Sequence, residues 1–222
     1  MTALPPLGCE PQILRISWAD YRALPHRNWS SLTVFDGSPM TAIRGQLVHA
    51  LVLEPETVDR DFLRLDVSED DALAAASPGA PAIVPDRVWQ DAERMADTAW
   101  DVLSQYDVID RELSFVAEAW GHAAKGRADA IIRAGGETWL CDLKSRAGWW
   151  GGDVPLRDEW WGQLGWYHHG LAQAGMRCDR IVVLAAGPRR AQLVELDVAT
   201  CYEHAEAAWR RAEVLTPAVA WR

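Results

Sequence analysis

The chain is poor in lysine and has no close pair of cysteines. Of its 22 basic residues, lysine supplies only Lys125 and Lys144, and the rest are arginine. Its four cysteines are widely separated, at Cys9, Cys141, Cys178 and Cys201. The absence of a C-x-x-C pair argues against a zinc site, an iron–sulfur cluster and a disulfide framework, and it predicts buried, reduced thiols.

Long apolar runs and an excess of positive charge are also missing. No stretch approaches the roughly 20 uncharged apolar residues that a membrane span needs, and residues 1–12 lack the basic and apolar regions of a signal peptide. We therefore expect a cytoplasmic protein with no membrane partner. The formal net charge of −10 at pH 7 argues against a surface coated in nucleic acid, but it leaves room for a local basic channel.

The chain is long enough for one well-filled core. Its 222 residues, 49% of them hydrophobic, predict a single domain over 1–222. Residues 1–65 show the spacing of short helices, and one of these is expected to begin at Thr41. Residues 66–85 mix an acidic cluster with alanine, serine, glycine and three prolines, which predicts a flexible loop. Residues 86–222 hold the remaining elements and are predicted to form the core.

The hydrophobic period changes from about 3.6 residues to 2 after a helix predicted at 86–106. Three strand-like segments follow at 111–120, 126–134 and 138–145, separated by turn-rich sequences, as in an antiparallel meander. A helix capped by Asp158, two strands and a C-terminal helix complete the order α-β-β-β-α-β-β-α. This order predicts an α/β (α+β) fold with a mixed central β-sheet flanked by helices and an N-terminal helical region.

Asp142 and Lys144 project from one side of the third strand, because residues i and i+2 share a face. Asp129 lies 13 residues before Asp142, on the preceding strand, so a hairpin can bring the two carboxylates together. With the Leu143 carbonyl they form an all-oxygen site suited to Mg²⁺ or Mn²⁺. Such an ion can activate a water, which the compact ammonium of Lys144 can orient or help deprotonate. A surface ion pair is the alternative that D-x-K alone leaves open.

These residues resemble a known nuclease signature. Asp129 followed by Asp142-Leu143-Lys144 looks like the PD-(D/E)xK pattern, with "RAD" in place of the usual Pro-Asp. Gln163 and Tyr167, four apart on the next helix, look like the Q-x-x-x-Y motif of RecB-type nucleases. "RGQLVHALVLEP" and "ISWADYRALPHRNWSSL" are similar to N-terminal segments of RecE-like exonucleases. The resemblance covers about residues 16–185 and implies a PD-(D/E)xK nuclease core of the RecE and lambda-exonuclease kind.

The resemblance also implies a role for each matching residue. The implied catalytic residues are Asp129, Asp142, Lys144, Glu112, Gln163 and Tyr167, and the implied metal ligands are His49, Asp129, Asp142 and the Leu143 carbonyl. Lys144 would act on the nucleophilic water, and Glu112 would lie near a second metal or be an exposed strand carboxylate. Gln163 and Tyr167 would hold the DNA backbone or the lysine, or form an ordinary polar helix face.

A further group of residues is predicted to contact DNA. Its members are Arg27, Ser30, Ser31, Arg146, Trp149 and Trp150. The first three are candidates for receiving a 5′ phosphate. The two tryptophans, which follow the D-x-K strand, can stack on bases or instead pack against neighbours or a partner subunit. Arg146 adds local positive potential for a narrow channel that threads DNA to the site.

The activity implied by the resemblance is that of a magnesium-dependent exodeoxyribonuclease. Such an enzyme hydrolyses linear double-stranded DNA from an end, from 5′ to 3′, in recombination. A ring-shaped homo-oligomer and a single-strand annealing protein as partner are implied as well. Two alternatives stay open, a PD-(D/E)xK endonuclease of restriction or junction-resolving type and a non-catalytic module that binds DNA or protein. Phage recombination, prophage maintenance and host defence are all possible settings.

Overall fold

The computed structural model describes residues 10–24, 26, 28–29, 37–149 and 152–215. In chain order these form β1 (Gln12–Leu14), α1 (Trp18–Ala23), α2 (Pro39–Leu53), α3 (Val58–Asp61), β2 (Phe62–Leu65), α4 (Glu69–Ala74), β3 (Ala82–Pro85), α5 (Asp86–Leu103), β4 (Asp107–Ala119), β5 (His122–Ala134), β6 (Glu137–Ser145), α6 (Asp158–Gln173), β7 (Arg180–Ala186), β8 (Ala191–Leu196) and α7 (Val198–Leu215). A short 3-10 helix, Pro55–Thr57, joins α2 to α3.

A six-stranded mixed sheet in the order β1-β4-β5-β6-β7-β8 forms the centre of the fold. Strands β4, β5 and β6 make the antiparallel meander, and β8 pairs antiparallel with β7. Strands β6 and β7 run parallel, which requires the crossover that α6 provides. The predicted order of elements from α5 to α7 and the mixed sheet flanked by helices are confirmed. The predicted cap of α6 is wrong, since Asp158 is its first residue and Arg157 is the N-cap.

Helices cover both faces of this sheet. Phe115 and Trp166 are fully buried in the core beneath α6 and α7, whereas Met95 is fully buried in a second core beneath α2 and α5. Along β6, Leu140 belongs to the first core and Cys141 to the second. Neighbouring strand residues point to opposite faces, so the two helix pairs lie on opposite sides of the sheet.

Two-residue turns close both hairpins of the meander. The turn residues are Trp120 and Gly121 between β4 and β5, and Gly135 and Gly136 between β5 and β6, and all four have positive φ. Positive φ at both central residues defines the type I′ turn, whose twist matches that of the paired strands. The second turn was predicted. The first shares only Gly121 with the turn-rich segment predicted at 121–125, so β5 begins at His122 and not at 126.

Several expectations for the N-terminal part are wrong. Helix α2 begins at Pro39, capped by Ser38, rather than at Thr41. The segment 66–85, predicted to be a flexible loop, contains α4 and β3. Strand β3 pairs in parallel with β2 in a small second sheet, and β1 pairs with β4. Strands of three or four residues are too short to display a period, and their hydrogen-bond partners come from elsewhere in the chain.

The described cysteines are buried, as the sequence predicts. Cys141, Cys178 and Cys201 are buried free thiols, as predicted, and burial is the main cause that raises their pKa values. Cys9 lies outside the described residues. Among the helices of the described ranges, none is both long and apolar enough to cross a membrane.

Helices α6 and α7 approach each other closely at Gly165. A Cβ added to Gly165 would lie closer than 3.0 Å to the backbone of Cys201, a distance that real Cβ atoms essentially never show. We therefore expect Gly165→Ala to destabilise the fold by about 3 kcal/mol through overpacking. For a chain of this size the melting temperature would fall by roughly 6–12 °C, which thermal melts followed by circular dichroism would measure.

Gly148→Ala is the matched control for this substitution. A Cβ at Gly148 would meet none of the described atoms within 4 Å, and Gly148 does not have a positive φ. Its melting temperature is expected to stay near that of the wild type. Equal melting temperatures for both variants would contradict the close approach of α6 and α7.

Candidate metal centre

One imidazole and two carboxylates meet where α2, β4 and β5 converge. His49 of α2, Glu112 of β4 and Asp129 of β5 each place one ligand atom within 4.8 Å of the others. Asp129 is buried, and the other two residues are half-buried. One nitrogen and several carboxylate oxygens at this spacing form a cluster able to hold a metal ion.

The two ring nitrogens of His49 have different surroundings. Nε2 lies 2.7 Å from the Leu143 carbonyl oxygen, and because a carbonyl only accepts hydrogen bonds, Nε2 carries a proton. In the neutral ring the lone pair is then on Nδ1, which lies 3.6 Å from Asp129 Oδ2. This distance is too long for a hydrogen bond but close to the roughly 3 Å between neighbouring ligands of an octahedral ion. In this neutral tautomer, His49 presents an acceptor nitrogen beside the Asp129 carboxylate.

The peptide groups of Leu143 orient both of these side chains. Its N–H donates to Asp129 Oδ2 at 2.7 Å, while its carbonyl accepts from His49. The contact with His49 uses one of the two lone pairs of the carbonyl oxygen, and the other lone pair could still face a metal ion. The role of this carbonyl as a metal ligand stays a prediction, whereas its contact with the histidine ring is observed.

Asp142 and Lys144 lie side by side on β6, as the strand period predicts. Lys144 Nζ is 2.6 Å from Asp142 Oδ2 and donates to Gln163 Oε1 of α6 at 3.0 Å. Gln163 Nε2 donates in turn to the Tyr167 hydroxyl at 3.1 Å. The four side chains form a polar row that runs from the sheet onto α6, and we call it the lysine row.

Asp142 and Asp129 are close enough for their charges to interact. The last pair of the β5–β6 ladder is Ala130 with Cys141, so the two aspartates are the next residues outward on neighbouring strands. Asp129 is accordingly one of the groups that raise the pKa of Asp142. Among the described residues, however, the mutually close ligand group contains Glu112 and not Asp142. The predicted set of ligands is therefore split between this group and the lysine row.

Burial is the main cause of the raised pKa values of Asp142 and Glu112. Asp142 is fully buried, and this raises its pKa to about 6 despite the opposing effect of Lys144. Burial, followed by the charge of Asp129, raises the pKa of Glu112 to about 7. Within the described part of the chain, no hydrogen-bond donor reaches Asp142 Oδ1. A buried carboxylate oxygen in this state is one that a cation would satisfy, so the donor set fits a hard divalent ion.

Two residues outside the predicted catalytic and metal-binding sets, Arg127 and Glu54, border the site. Arg127 Nε donates to Glu112 Oε2 at 2.5 Å, and its Nη2 donates to Glu54 Oε1 at 2.7 Å. Glu54 is the C-cap residue directly after α2. Arg127 stands two positions before Asp129, a spacing that in a strand can place both near one site. No sequence signal points to Glu54.

The residues predicted to contact DNA have different outcomes. Arg27, Ser30, Ser31 and Trp150 lie outside the described residues. Trp149 is buried, with the Arg190 guanidinium 5.1 Å from the centre of its ring. Its ring is packed in the core and is not open to a base, which contradicts the stacking role and agrees with the packing alternative. Arg146 is half-buried, and its guanidinium lies 5.5 Å from the centre of the Trp160 ring.

Comparison with known proteins adds one informative likeness. No protein-family model matches the chain, and no curated protein matches it significantly. A crystal structure of a protein named "Putative exonuclease", from Eubacterium rectale, is similar at a TM-score of 0.62 and 12% identity, covering 91% of this chain and 86% of that chain. The crystal structure of SSO0001 covers 74% of each chain at 23% identity and a TM-score of 0.37. At 12% identity the first likeness shows a shared fold.

Proposed function

We propose that this protein is a metal-dependent nuclease that hydrolyses phosphodiester bonds in DNA. The observation that carries the proposal is the meeting of the His49, Glu112 and Asp129 ligand group with the lysine row at the end of the β5–β6 hairpin. The fold that the chain shares with a protein named as an exonuclease supports the same class of activity.

Each side chain has a distinct task in this proposal. When bound, Mg²⁺ or Mn²⁺ would polarise the scissile phosphate and lower the pKa of the attacking water. In this proposal Asp129 and Asp142 supply carboxylates that hold the ion, and His49 and Glu112 supply its other side-chain ligands. Burial lowers the pKa of Lys144, but the charges of Asp142 and Asp129 outweigh it and the net shift is upward.

Lys144 therefore stays an ammonium group and orients the water as a hydrogen-bond donor. Gln163 accepts from Lys144, and the Tyr167 hydroxyl accepts from Gln163. Burial is the main cause that raises the pKa of Tyr167 well above its usual value, so its hydroxyl remains protonated. These two residues hold the ammonium group in place from α6.

The finer features of the proposal rest on the resemblance to RecE-like exonucleases. We infer digestion of linear duplex DNA from an end, in the 5′ to 3′ direction, as a step of recombination in the cytoplasm. A homo-oligomeric ring and a single-strand annealing protein as partner belong to the same inference. An endonuclease and a non-catalytic binding module remain its competitors.

Two substrates distinguish these alternatives. In Mg²⁺ we expect linear duplex DNA to be degraded and covalently closed circles to survive, because only the linear form offers an end. Duplexes labelled separately at the 5′ and 3′ ends would give the direction through the order in which the labels are released. EDTA should stop the reaction, since the ligand group would then lack its ion.

The other outcomes point to other functions. Cleavage of the circles would favour an endonuclease. Survival of both substrates in Mg²⁺ and in Mn²⁺, with DNA still bound in a gel-shift assay, would favour the non-catalytic module.

A further inference from the structure

Glu112 has an unusual backbone conformation in the middle of a strand. Its φ is 49°, in the left-handed region that residues with a side chain seldom adopt. Its neighbours Arg111 and Leu113 remain paired with Ala130 and Ala128 of β5. This conformation costs free energy and persists only where surrounding contacts enforce it. The Glu112 carboxylate lies with His49 and Asp129 in the ligand group.

A buried arginine contacts the Glu112 carboxylate. The Arg127 side chain is 7% exposed and bridges two carboxylates, Glu112 at 15% and Glu54 at 30% exposure. Its Nε and Nη2 each take a different partner, so the planar guanidinium is fixed at two points. Arginine is suited to this task because its donors form a rigid fork.

An open cavity lies directly beside this bridge. It has a volume of about 440 Å³ and is lined by Glu54, Glu112, Arg127 and the exposed Glu56, among others. On this side of Glu112, the guanidinium of Arg127 donates to the carboxylate and the cavity leaves open space beside the bridge.

We propose that Arg127 and Glu54 are positioning residues that hold the Glu112 carboxylate at the metal centre. The inference rests on the proposed function insofar as the ligand group binds a divalent cation. Glu54 accepts from Nη2 and holds the guanidinium in place, and the guanidinium in turn holds the Glu112 carboxylate through Nε. Buried ion pairs as such add little to stability, which agrees with a role in placing a ligand.

Binding of Mn²⁺ to the full chain, measured by titration calorimetry without DNA, tests the proposal independently of catalysis. Arg127→Met is expected to raise the Mn²⁺ dissociation constant by about 10- to 100-fold, as loss of partners that orient ligands does elsewhere. If Arg127 acted only through its charge, the same substitution would tighten Mn²⁺ binding, because a positive charge beside the ligands would be gone. Tighter or unchanged binding in a folded variant therefore overturns the proposal.

A double-mutant cycle shows whether Arg127 acts through Glu112. On a Glu112→Gln background, Arg127→Met is expected to cause little additional loss of Mn²⁺ affinity, because the group that it positions is already altered. Fully additive losses would mean that Arg127 supports the fold in general, and this result would also overturn the proposal.

Two further variants keep the test valid if Arg127→Met fails to fold. Glu54→Ala removes the second anchor at a half-buried position and should weaken Mn²⁺ binding several-fold. Glu56→Gln, an exposed carboxylate on the same cavity, is the matched control and should leave it unchanged. Equal effects of Glu54→Ala and Glu56→Gln would overturn the proposal. If the wild type binds Mn²⁺ but does not cleave DNA, the nuclease function fails while the positioning role can still be measured.

Discussion

Asp142→Asn is expected to lower the rate of DNA hydrolysis ~10³-fold while the protein stays folded. The substitution replaces a carboxylate of the proposed metal centre by an amide, which has no charge and presents a donor group to the cation. A loss of about 4 kcal/mol of metal-dependent stabilisation of the transition state lowers the rate ~10³-fold. The initial rate of nucleotide release from an end-labelled linear duplex in Mg²⁺ measures the effect.

Folding and DNA binding serve as controls for this variant. Because burial raises the pKa of Asp142 to about 6, its charge is costly to the metal-free fold, and Asp142→Asn should melt in EDTA no lower than the wild type. DNA affinity measured by fluorescence anisotropy in EDTA should change little. Asp158→Asn alters an exposed carboxylate in the first turn of α6 and should keep normal turnover. Unchanged turnover in Asp142→Asn would remove this residue from the site.

The lysine row was predictable because it follows from local geometry. The strand period alone places Asp142 beside Lys144, and a four-residue spacing on a helix alone places Gln163 beside Tyr167. The structure has both pairs in contact and joins them through Lys144 and Gln163. Only the packing of α6 against the end of β6 was needed in addition, and the crossover between parallel strands supplies it.

The rest of the centre depends on contacts that no local pattern encodes. Arg127 meets Glu54 across 73 residues of sequence, and the left-handed conformation of Glu112 interrupts the regular alternation from which strand faces are predicted. The burial of Trp149 depends on the path of the loop after β6, where its backbone packs against Gly187. A pair of tryptophans flanked by glycines is compatible with either exposed or buried rings, so the sequence alone left both open.

Lys144→Arg is expected to lower the rate of DNA hydrolysis by about 10²- to 10⁴-fold, the range lost when a group that handles protons or orients the nucleophile is misplaced. The ammonium group lies 2.6 Å from Asp142 Oδ2 and 3.0 Å from Gln163 Oε1, in a site where the side chain is only 18% exposed. Arginine has a longer side chain that ends in a planar guanidinium, so it cannot place a single nitrogen at the position of Lys144 Nζ. Single-turnover rates at saturating Mg²⁺ isolate the chemical step.

Lys125→Arg is the matched control for Lys144→Arg, because Lys125 stabilises a helix end and is not part of the lysine row. Lys125 Nζ is buried and donates to the carbonyl oxygens of Tyr21 and Leu24 at 2.8 Å, at the end of α1. Lys125→Arg replaces the same residue type but disturbs a helix end, so it should lower the melting temperature while the folded protein retains its single-turnover rate. If Lys125→Arg and Lys144→Arg slowed hydrolysis equally, the effect would reflect general disruption of the fold, because Lys125 has no contact with the lysine row among the described side chains.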